Sequence, residues 1–392
     1  MDVKLDAPHW KRRRGMAKLL DALGASDGLT RYVGGAVRDG LLGLPVNDVD
    51  LATRLRPDEV VERLKAAGIK AVPTGIEHGT VTAISDGHPY EVTTLRRDVE
   101  TFGRHATVAF TDDWEEDAAR RDFTINALMA DPVSGDVFDF FDGLSDLGRR
   151  HVRFIGDPYE RIAEDHLRIL RFFRFHARFG REGPDDAALE ACTARAKDLM
   201  ALSRERIADE LLKLLSVEDP APTVRIMLDR AILAPAVPEI EGAAWVRLEA
   251  VVEAERRAGI DGDPLRRLAA LLPANPQVAS AVAARLKLSN KAKKRLACAA
   301  ATDVGDPRAL AYRLGVECAV DRLLLGGQAD DARSISAWSP PRLPIRGGVL
   351  IKRGLAEGPA VSRTLRLIEE RWIDAGFPSG TEFDAIVDSA LG

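Results

Sequence analysis

Strand-like periodicity stops near Gly156 and does not return in the remaining residues of the chain. Before that point two periods alternate. Tyr32-Val33 leads into Gly34-Gly35, and Ala36 to Leu42 reads as a short helix. Asp48-Val49-Asp50-Leu51 alternates polar and apolar, the period of a strand. Pro57 to Gly68 reads as a helix, with Pro in its first turn and Gly past its end. Val72, Thr80 to Ile84 and Tyr90 to Leu95 read as strands, the last two joined by the turn Ser85-Asp86-Gly87-His88. After Gly156, Ala, Leu, Arg and Glu recur at helical spacing, broken by loops at Gly180–Pro184, Pro273–Pro276 and Ser336–Pro344. The pattern predicts an α+β chain: a small mixed-sheet head on an extended all-helical body, with no fixed-period repeat. At 392 residues the chain is too long for one core, so two or three domains are expected.

The head carries a suggestive set of side chains. Residues two apart on a strand share a face, which places the Asp48 and Asp50 carboxylates side by side. Two such charges repel unless a cation lies between them. Oxygen ligands of this kind suit magnesium, which takes one or two carboxylates plus substrate phosphates. The glycines just upstream let backbone approach a triphosphate, and the helix that follows points its N-terminus at the anion. Arg38, one turn into that helix, is placed to reach a phosphate oxygen or ribose. An Asp-x-Asp alone is commonly a solvated turn; its order after Gly-Gly, between apolar residues, is more specific. Glu91, an acid between apolar residues on a later strand, is either a third carboxylate beside the pair or an ordinary exposed strand residue.

A second concentration of charge follows. Asp157-Pro158 opens a stretch that reads as one helix to Gly180. On it Arg161, Glu164, Arg168, Arg171, Arg174 and Arg178 fall within an arc of roughly 140°. Ile162, Ile169, Leu170, Phe173 and Ala177 take the other side, with Asp165 at the border. Such a face is often only solvated and laced with ion pairs. Five arginines and no lysine suit planar, bidentate recognition of phosphates or bases.

Other classes fall away. The longest apolar runs are far short of a membrane span, and the charged first residues lack the apolar core of a signal peptide. The three cysteines, Cys192, Cys298 and Cys318, form no CxxC pair; they predict neither a zinc site nor a disulfide framework, and a reducing cytoplasm. No HExxH or His-Asp dipeptide supports a histidine-based metal hydrolase. Net charge is −5 and the pI about 5.9, which excludes a nonspecific polyanion binder. Yet residues 149–181 hold nine arginines against four acids, so the charge is unevenly spread.

Four motifs stand in order: Gly34-Gly35-Ala36-Val37-Arg38-Asp39, Asp48-Val49-Asp50, Arg120-Arg121-Asp122-Phe123-Thr124-Ile125-Asn126-Ala127-Leu128, and Glu164-Asp165-His166-Leu167-Arg168. Together they resemble the class II tRNA nucleotidyltransferase and bacterial poly(A) polymerase family, strongly over about 30–180 and weakly again at Gly347–Trp372. The resemblance implies a nucleotidyltransferase head over 1–148, a nucleotide-selecting neck over 149–215 and a helical body and tail over 216–392 that binds tRNA. It implies that Asp48 and Asp50 hold two magnesium ions, with Glu91 matching only the wider superfamily. Gly35, Arg38 and Arg121 then contact the incoming nucleotide, CTP or ATP. Glu164, Asp165, Arg168, Arg171 and Arg174 complete the nucleotide site.

Asp165 and Arg168 carry a base-selection argument. Cytosine and adenine present an exocyclic amine beside a ring-nitrogen acceptor, whereas uracil and guanine present a carbonyl beside a ring N–H. A carboxylate only accepts and a guanidinium only donates, so the pair favours C and A. The resemblance assigns the same role to Glu-Asp-x-x-Arg.

Arg96 to Phe110 reads as a mobile loop and resembles the flexible loop of CCA-adding enzymes. Asp112 to Asp117, five acids in six residues, reads as a helix N-terminus complementing its dipole. Residues 285–295 hold six basic residues and no acid, and 342–366 six and one acid; either tracks RNA phosphates or is a solvated face. The expected activity is template-independent addition or repair of the 3′-terminal CCA of tRNA in the cytoplasm. A poly(A) polymerase, a CC-only or A-only enzyme, and a noncatalytic RNA-binding relative are the alternatives. Oligomeric state is not legible.

Overall fold

The computed structural model describes residues 3–6, 9–102 and 105–391, with no side chains described within 98–108. Two compact units divide the chain: 1–210 with 230–236, and 211–229 with 237–392. The first contains the sheet and the arginine-rich segment that follows it. The second is helical.

Among the described residues the first unit is built on a seven-stranded mixed sheet. Its strands are β1 (Thr30–Val33), β2 (Asp50–Thr53), β3 (Lys70–Gly75), β4 (Thr80–Ser85), β5 (His88–Thr94), β8 (Met129–Ala130) and β9 (Val137–Phe138), in the order β3-β4-β5-β2-β1-β8-β9. Alternation explains the buried face. Val81 and Ala83 on β4, and Tyr90 and Val92 on β5, are buried, while Glu91 between them is exposed. β1 runs antiparallel to β2, with Val33 opposite Asp50. β2 runs parallel to β5, with Leu51 opposite Val92, so the preceding acids Asp50 and Glu91 stand on adjacent strands. A core of Val33, Ala52, Leu95, Trp114, Ala118 and Met129 closes this layer.

Three expectations need correction. The stretch 96–110, expected as a loop, is a pair of antiparallel strands, β6 (Arg96–Phe102) and β7 (His105–Phe110). Val99, Thr101, Phe102, Thr107, Val108 and Phe110 supply β propensity that outweighs its polarity; Gly103 and Arg104 lie outside the described residues. The arginine stretch is two helices, Pro158–Glu164 and Arg168–Phe179, because Asp165 is extended at φ −150°, ψ 107°. Its carboxylate accepts the Leu167 N–H at 3.1 Å and Arg206 Nη2 at 2.7 Å, so the side chain holds the break open. Finally, Cys298 and Cys318 form a disulfide, with Cα atoms 6.2 Å apart. The two residues lie on separate helices, Asn290–Ala299 and Val316–Leu325, whose packing brings them together without any CxxC spacing.

An aromatic cluster fixes the arginine helix to the sheet region. Phe123 lies 4.9 Å from Phe154 and 5.1 Å from Phe175 between ring centres, and Phe154 stacks on Phe172 at 5.7 Å. In the second unit a buried ionic network ties helices together. Arg266 bonds Glu255 and Asp321, Arg267 bonds Glu255, and Arg295 bonds Asp321 and Asp263. No helix among the described residues is long and apolar enough to cross a membrane.

Candidate active site

The turn after β1 sets the site's first wall. Gly34 has φ +64°, and a Cβ there would lie 3.0 Å from Arg121 Nη1. Glycine therefore serves both the left-handed turn and the close approach of Arg121 to backbone. Gly35 opens the Gly35–Leu41 helix, and Arg38 follows one turn later. Arg38 is buried, with Nε donating to Asp39 Oδ1 at 2.7 Å, Nη1 donating to Asn126 Oδ1, and its guanidinium 4.2 Å above the Phe179 ring. Burial lowers its pKa against the opposing pull of Asp39. Arg178 Nη2 reaches the other oxygen of Asp39 at 3.2 Å.

Arg121 is held from behind by Asp117. That carboxylate is buried, accepts Arg121 Nη2 at 3.2 Å and Arg120 Nη2 at 2.8 Å, and takes the Arg96 N–H at 3.3 Å. Burial alone would raise its pKa, but Arg120 and Arg121 outweigh burial and hold it below the usual carboxylate range. Beside it Asp122 accepts Arg171 Nη2 at 2.6 Å and Asn126 Nδ2 at 2.9 Å. Asp122 too is held low, chiefly by Arg171 acting against burial. Asn126 thus links Arg38 to Asp122, an orienting role that its position in the motif left open.

The second wall comes from the break between the two arginine helices. Arg168 Nη1 bonds Glu164 and the Arg161 carbonyl, and Nη2 donates to the Arg120 carbonyl at 3.3 Å. A guanidinium has five N–H groups, so Nε–H and one Nη2–H remain for a ligand. Asp165, with one bond at each oxygen, keeps one acceptor site on each. Arg171 also approaches Glu210, at 3.6 Å. Arg174 Nε is bound to Glu210 at 2.6 Å.

A cavity of about 450 Å³ collects these groups. Gly35, Arg38, Asp50, Arg121, Asp165, Arg168 and Arg171 all line it, as do Asp122, Asn126 and Phe175. Asp48, Glu91, Glu164 and Arg174 are outside its lining. Asp50 opens β2 at the cavity, and Asp48 is exposed two residues earlier, before the strand begins. The Asp50 carboxyl is raised above its ordinary value, first by desolvation and then by the charge of Glu91; Asp48 adds to this and Arg121 opposes it. Sequence reasoning missed Asp117, Glu210 and Arg206. The first was hidden among four neighbouring acids, and the others lie on the Arg204–Leu215 helix, far along the chain.

The family described as the poly A polymerase head domain matches residues 30–153, and that of the probable RNA and SrmB-binding site of polymerase A matches 184–243. A mouse (Mus musculus) protein named CCA tRNA nucleotidyltransferase 1, mitochondrial, is 34% identical over 96% of this chain and 90% of its own length. The chain belongs to the class II CCA-adding enzyme and poly(A) polymerase family. A CCA-adding enzyme of Lacticaseibacillus paracasei is 32% identical over 97% of this chain and 96% of its own. The crystal structure of the Bacillus stearothermophilus CCA-adding enzyme in complex with CTP aligns with a TM-score of 0.70 at 26% identity, covering 96% of this chain and 97% of that one. The mixed seven-stranded head followed by a helical body is therefore the fold of the CCA-adding enzymes.

Proposed function

We infer that this protein is a CCA tRNA nucleotidyltransferase, adding or repairing the 3′-terminal CCA of tRNA with CTP and ATP. Full-length similarity to enzymes of that name supports it. The observation that carries it is the single cavity in which Arg38, Arg121 and Asp50 face Asp165 and Arg168. One side offers donors for a triphosphate and a carboxylate for a metal; the other offers one acceptor and one donor residue for a base edge.

In the reaction the RNA 3′-hydroxyl attacks the α-phosphorus of the bound nucleotide, and pyrophosphate leaves in line. Arg38, Arg121 and Arg171 hold the triphosphate through charge-assisted hydrogen bonds, fixed by Asp39, Asp117 and Asp122. Asp165 accepts the exocyclic amine of C or A, and Arg168 donates to the adjacent ring nitrogen. No nucleic-acid template is needed, because the protein supplies the complementary hydrogen-bonding edge.

The acids fit magnesium. Asp48 and Asp50 supply oxygen ligands, and Asp50 feels the charges of Glu91 and Asp48, which Arg121 opposes. No group of three or more candidate ligands is gathered among the described residues, which suits an ion completed by substrate phosphates. Asp48 and Asp50 would hold two ions, with Glu91 beside them, and the bound metal would supply charge neutralisation of the reacting oxygens. The Cys298–Cys318 bridge removes the cysteine-based argument for a reducing cytoplasm.

The test uses purified protein, magnesium, and tRNAs ending before the first C, before the second C and before A, with CTP and ATP supplied separately and together. Completion to CCA on all three is expected. A long A tail, addition of C or A alone, or no product would each overturn the inference.

A further inference from the structure

We propose that Phe175 is a positioning residue for the nucleotide, setting the planes of the Arg38 and Arg171 guanidinium groups before the triphosphate arrives. The inference rests on the nucleotide-binding role argued above for the cavity, and deepens it. On the Arg168–Phe179 helix, at about 100° per residue, Phe175 and Phe179 fall inside the arc of the arginines and not among Ile169, Leu170 and Phe173. Both are nevertheless buried, at 6% and 2% exposure. What covers them is cationic. The Arg174 guanidinium lies 4.5 Å from the centre of the Phe175 ring, Arg38 5.3 Å and Arg171 5.4 Å. Arg38 also lies 4.2 Å, and Arg178 4.9 Å, from the centre of the Phe179 ring. Guanidinium groups from two helices thus share two rings.

The negative face of an aromatic ring attracts a cation, and more strongly where water is excluded. That attraction complements the carboxylates. Asp39 holds Arg38, Asp122 holds Arg171 and Glu210 holds Arg174. Hydrogen bonds of this kind lie near the guanidinium plane and leave it free to swing about the bond. A ring beneath the face fixes that remaining direction. It also eases the gathering of like charges: Arg38 is repelled by Arg178, yet both lie over Phe179. The Phe175 ring is itself anchored, with Phe123 5.1 Å and Phe179 5.8 Å away between ring centres. It lines the same cavity as Arg38 and Arg171. An aliphatic side chain could fill this space without attracting the cations, so the ring's contribution is directional. The N–H groups of Arg38 and Arg171 are aimed in advance, which lowers the ordering cost of capturing a triphosphate.

The experiment takes the full-length protein with magnesium and measures its affinity for CTP, ATP and inorganic pyrophosphate by calorimetry. Steady-state kinetics on a tRNA lacking CCA run in parallel. Phe175→Met keeps an apolar side chain and removes the ring; Phe175→Tyr keeps the ring face. The methionine variant should weaken all three ligands by a common factor, about five- to tenfold for two lost cation–ring contacts. The KM for CTP should rise by that factor and kcat change by less. The tyrosine variant should restore both. Phe179→Met, which removes the other ring beneath Arg38, should weaken binding in the same direction, and it gives the reading if Phe175→Met fails to fold. Unchanged affinities overturn the proposal. So does a loss confined to CTP or ATP with pyrophosphate unaffected, which would mean that the ring meets the base. An equal loss in the tyrosine variant also overturns it, since the ring would then only fill space. Absence of CTP incorporation by the wild type counts against the CCA-adding function, whereas the affinities alone decide the role of Phe175.

Discussion

Asp165→Asn should admit UTP to an enzyme that otherwise rejects it. With the wild-type pair, uracil sets its O4 carbonyl against the Asp165 carboxylate and its N3–H against the Arg168 guanidinium. Two acceptors and two donors then face each other without partners. Each unpaired buried group costs about 1–3 kcal/mol, and the open mouth of the cavity argues for the lower end. Asparagine changes one side only. Its Oδ1 can keep the Leu167 N–H now held at 3.1 Å, which preserves the start of the Arg168–Phe179 helix, while its NH2 turns to the uracil O4. Pairing one formerly opposed acceptor recovers about 1–2 kcal/mol, or roughly 5- to 30-fold in the UTP/CTP ratio of kcat/KM.

The assay compares kcat/KM for all four nucleoside triphosphates on a tRNA lacking CCA, with thermal melting as the check on folding. CTP turnover should also fall, since a neutral amide replaces a charged acceptor and its NH2, standing where Oδ2 accepted Arg206 Nη2 at 2.7 Å, cannot accept that bond, which is lost. The decisive quantity is the ratio. If CTP activity falls while the UTP/CTP ratio stays at its wild-type value, Asp165 supports the helix break and does not read the base, and the argument fails.

Asp117→Asn should cost about 3 kcal/mol of stability by chemical denaturation, because it leaves Arg120 and Arg121 beside a buried neutral amide. It should also raise the KM for CTP as Arg121 loses its orientation. Asp117 has its native pKa lowered below the unfolded value of about 3.9, so its stabilisation is complete above that pH and is lost as pH falls through the native pKa; the gap between wild type and variant should close on acidification. Cys318→Ser should destabilise the helical unit by about 3 kcal/mol relative to the oxidised protein, from the 20-residue separation that the bridge closes, and reduction of the wild type should reproduce the loss.

The elements of the head were legible because each rests on a local pattern. The alternation at Val81 and Ala83 and at Tyr90 and Val92 reads directly as strand, and the glycine turn before Arg38 reads as a turn. The failures share a different origin. The apolar spacing from Ile162 to Ile169 runs on without Gly or Pro, and the helix break between them depends on Arg206, 41 residues away. Cys298 and Cys318 meet through helix packing across 20 residues. Asp117 looks like its acidic neighbours, yet it alone turns inward onto two arginines. Arg174 has the spacing of a ligand-binding stripe, but Glu210, 36 residues away, takes its Nε. Periodicity reports which face a residue occupies, not which distant group will meet it there.

That distinction separates two kinds of cation in this chain. The arginines around the cavity nearly all have acids of their own: Arg38 has Asp39, Arg121 has Asp117, Arg168 has Glu164 and Arg171 has Asp122. They are aimed donors in an almost neutralised setting, so mobile ions have little net charge there to screen. Lys291 and Lys294 are exposed, and exposed cations of that kind gain their free energy with RNA from counterion release. Salt should therefore divide the two functions. Raising it from about 50 to 200 mM should weaken tRNA binding by an order of magnitude or more, yet leave the CTP/UTP preference of bound enzyme within about twofold. If the preference instead fell in step with tRNA affinity, the arginines would be acting as diffuse charge, and the paired geometry around Asp165 and Arg168 would not be what selects the base.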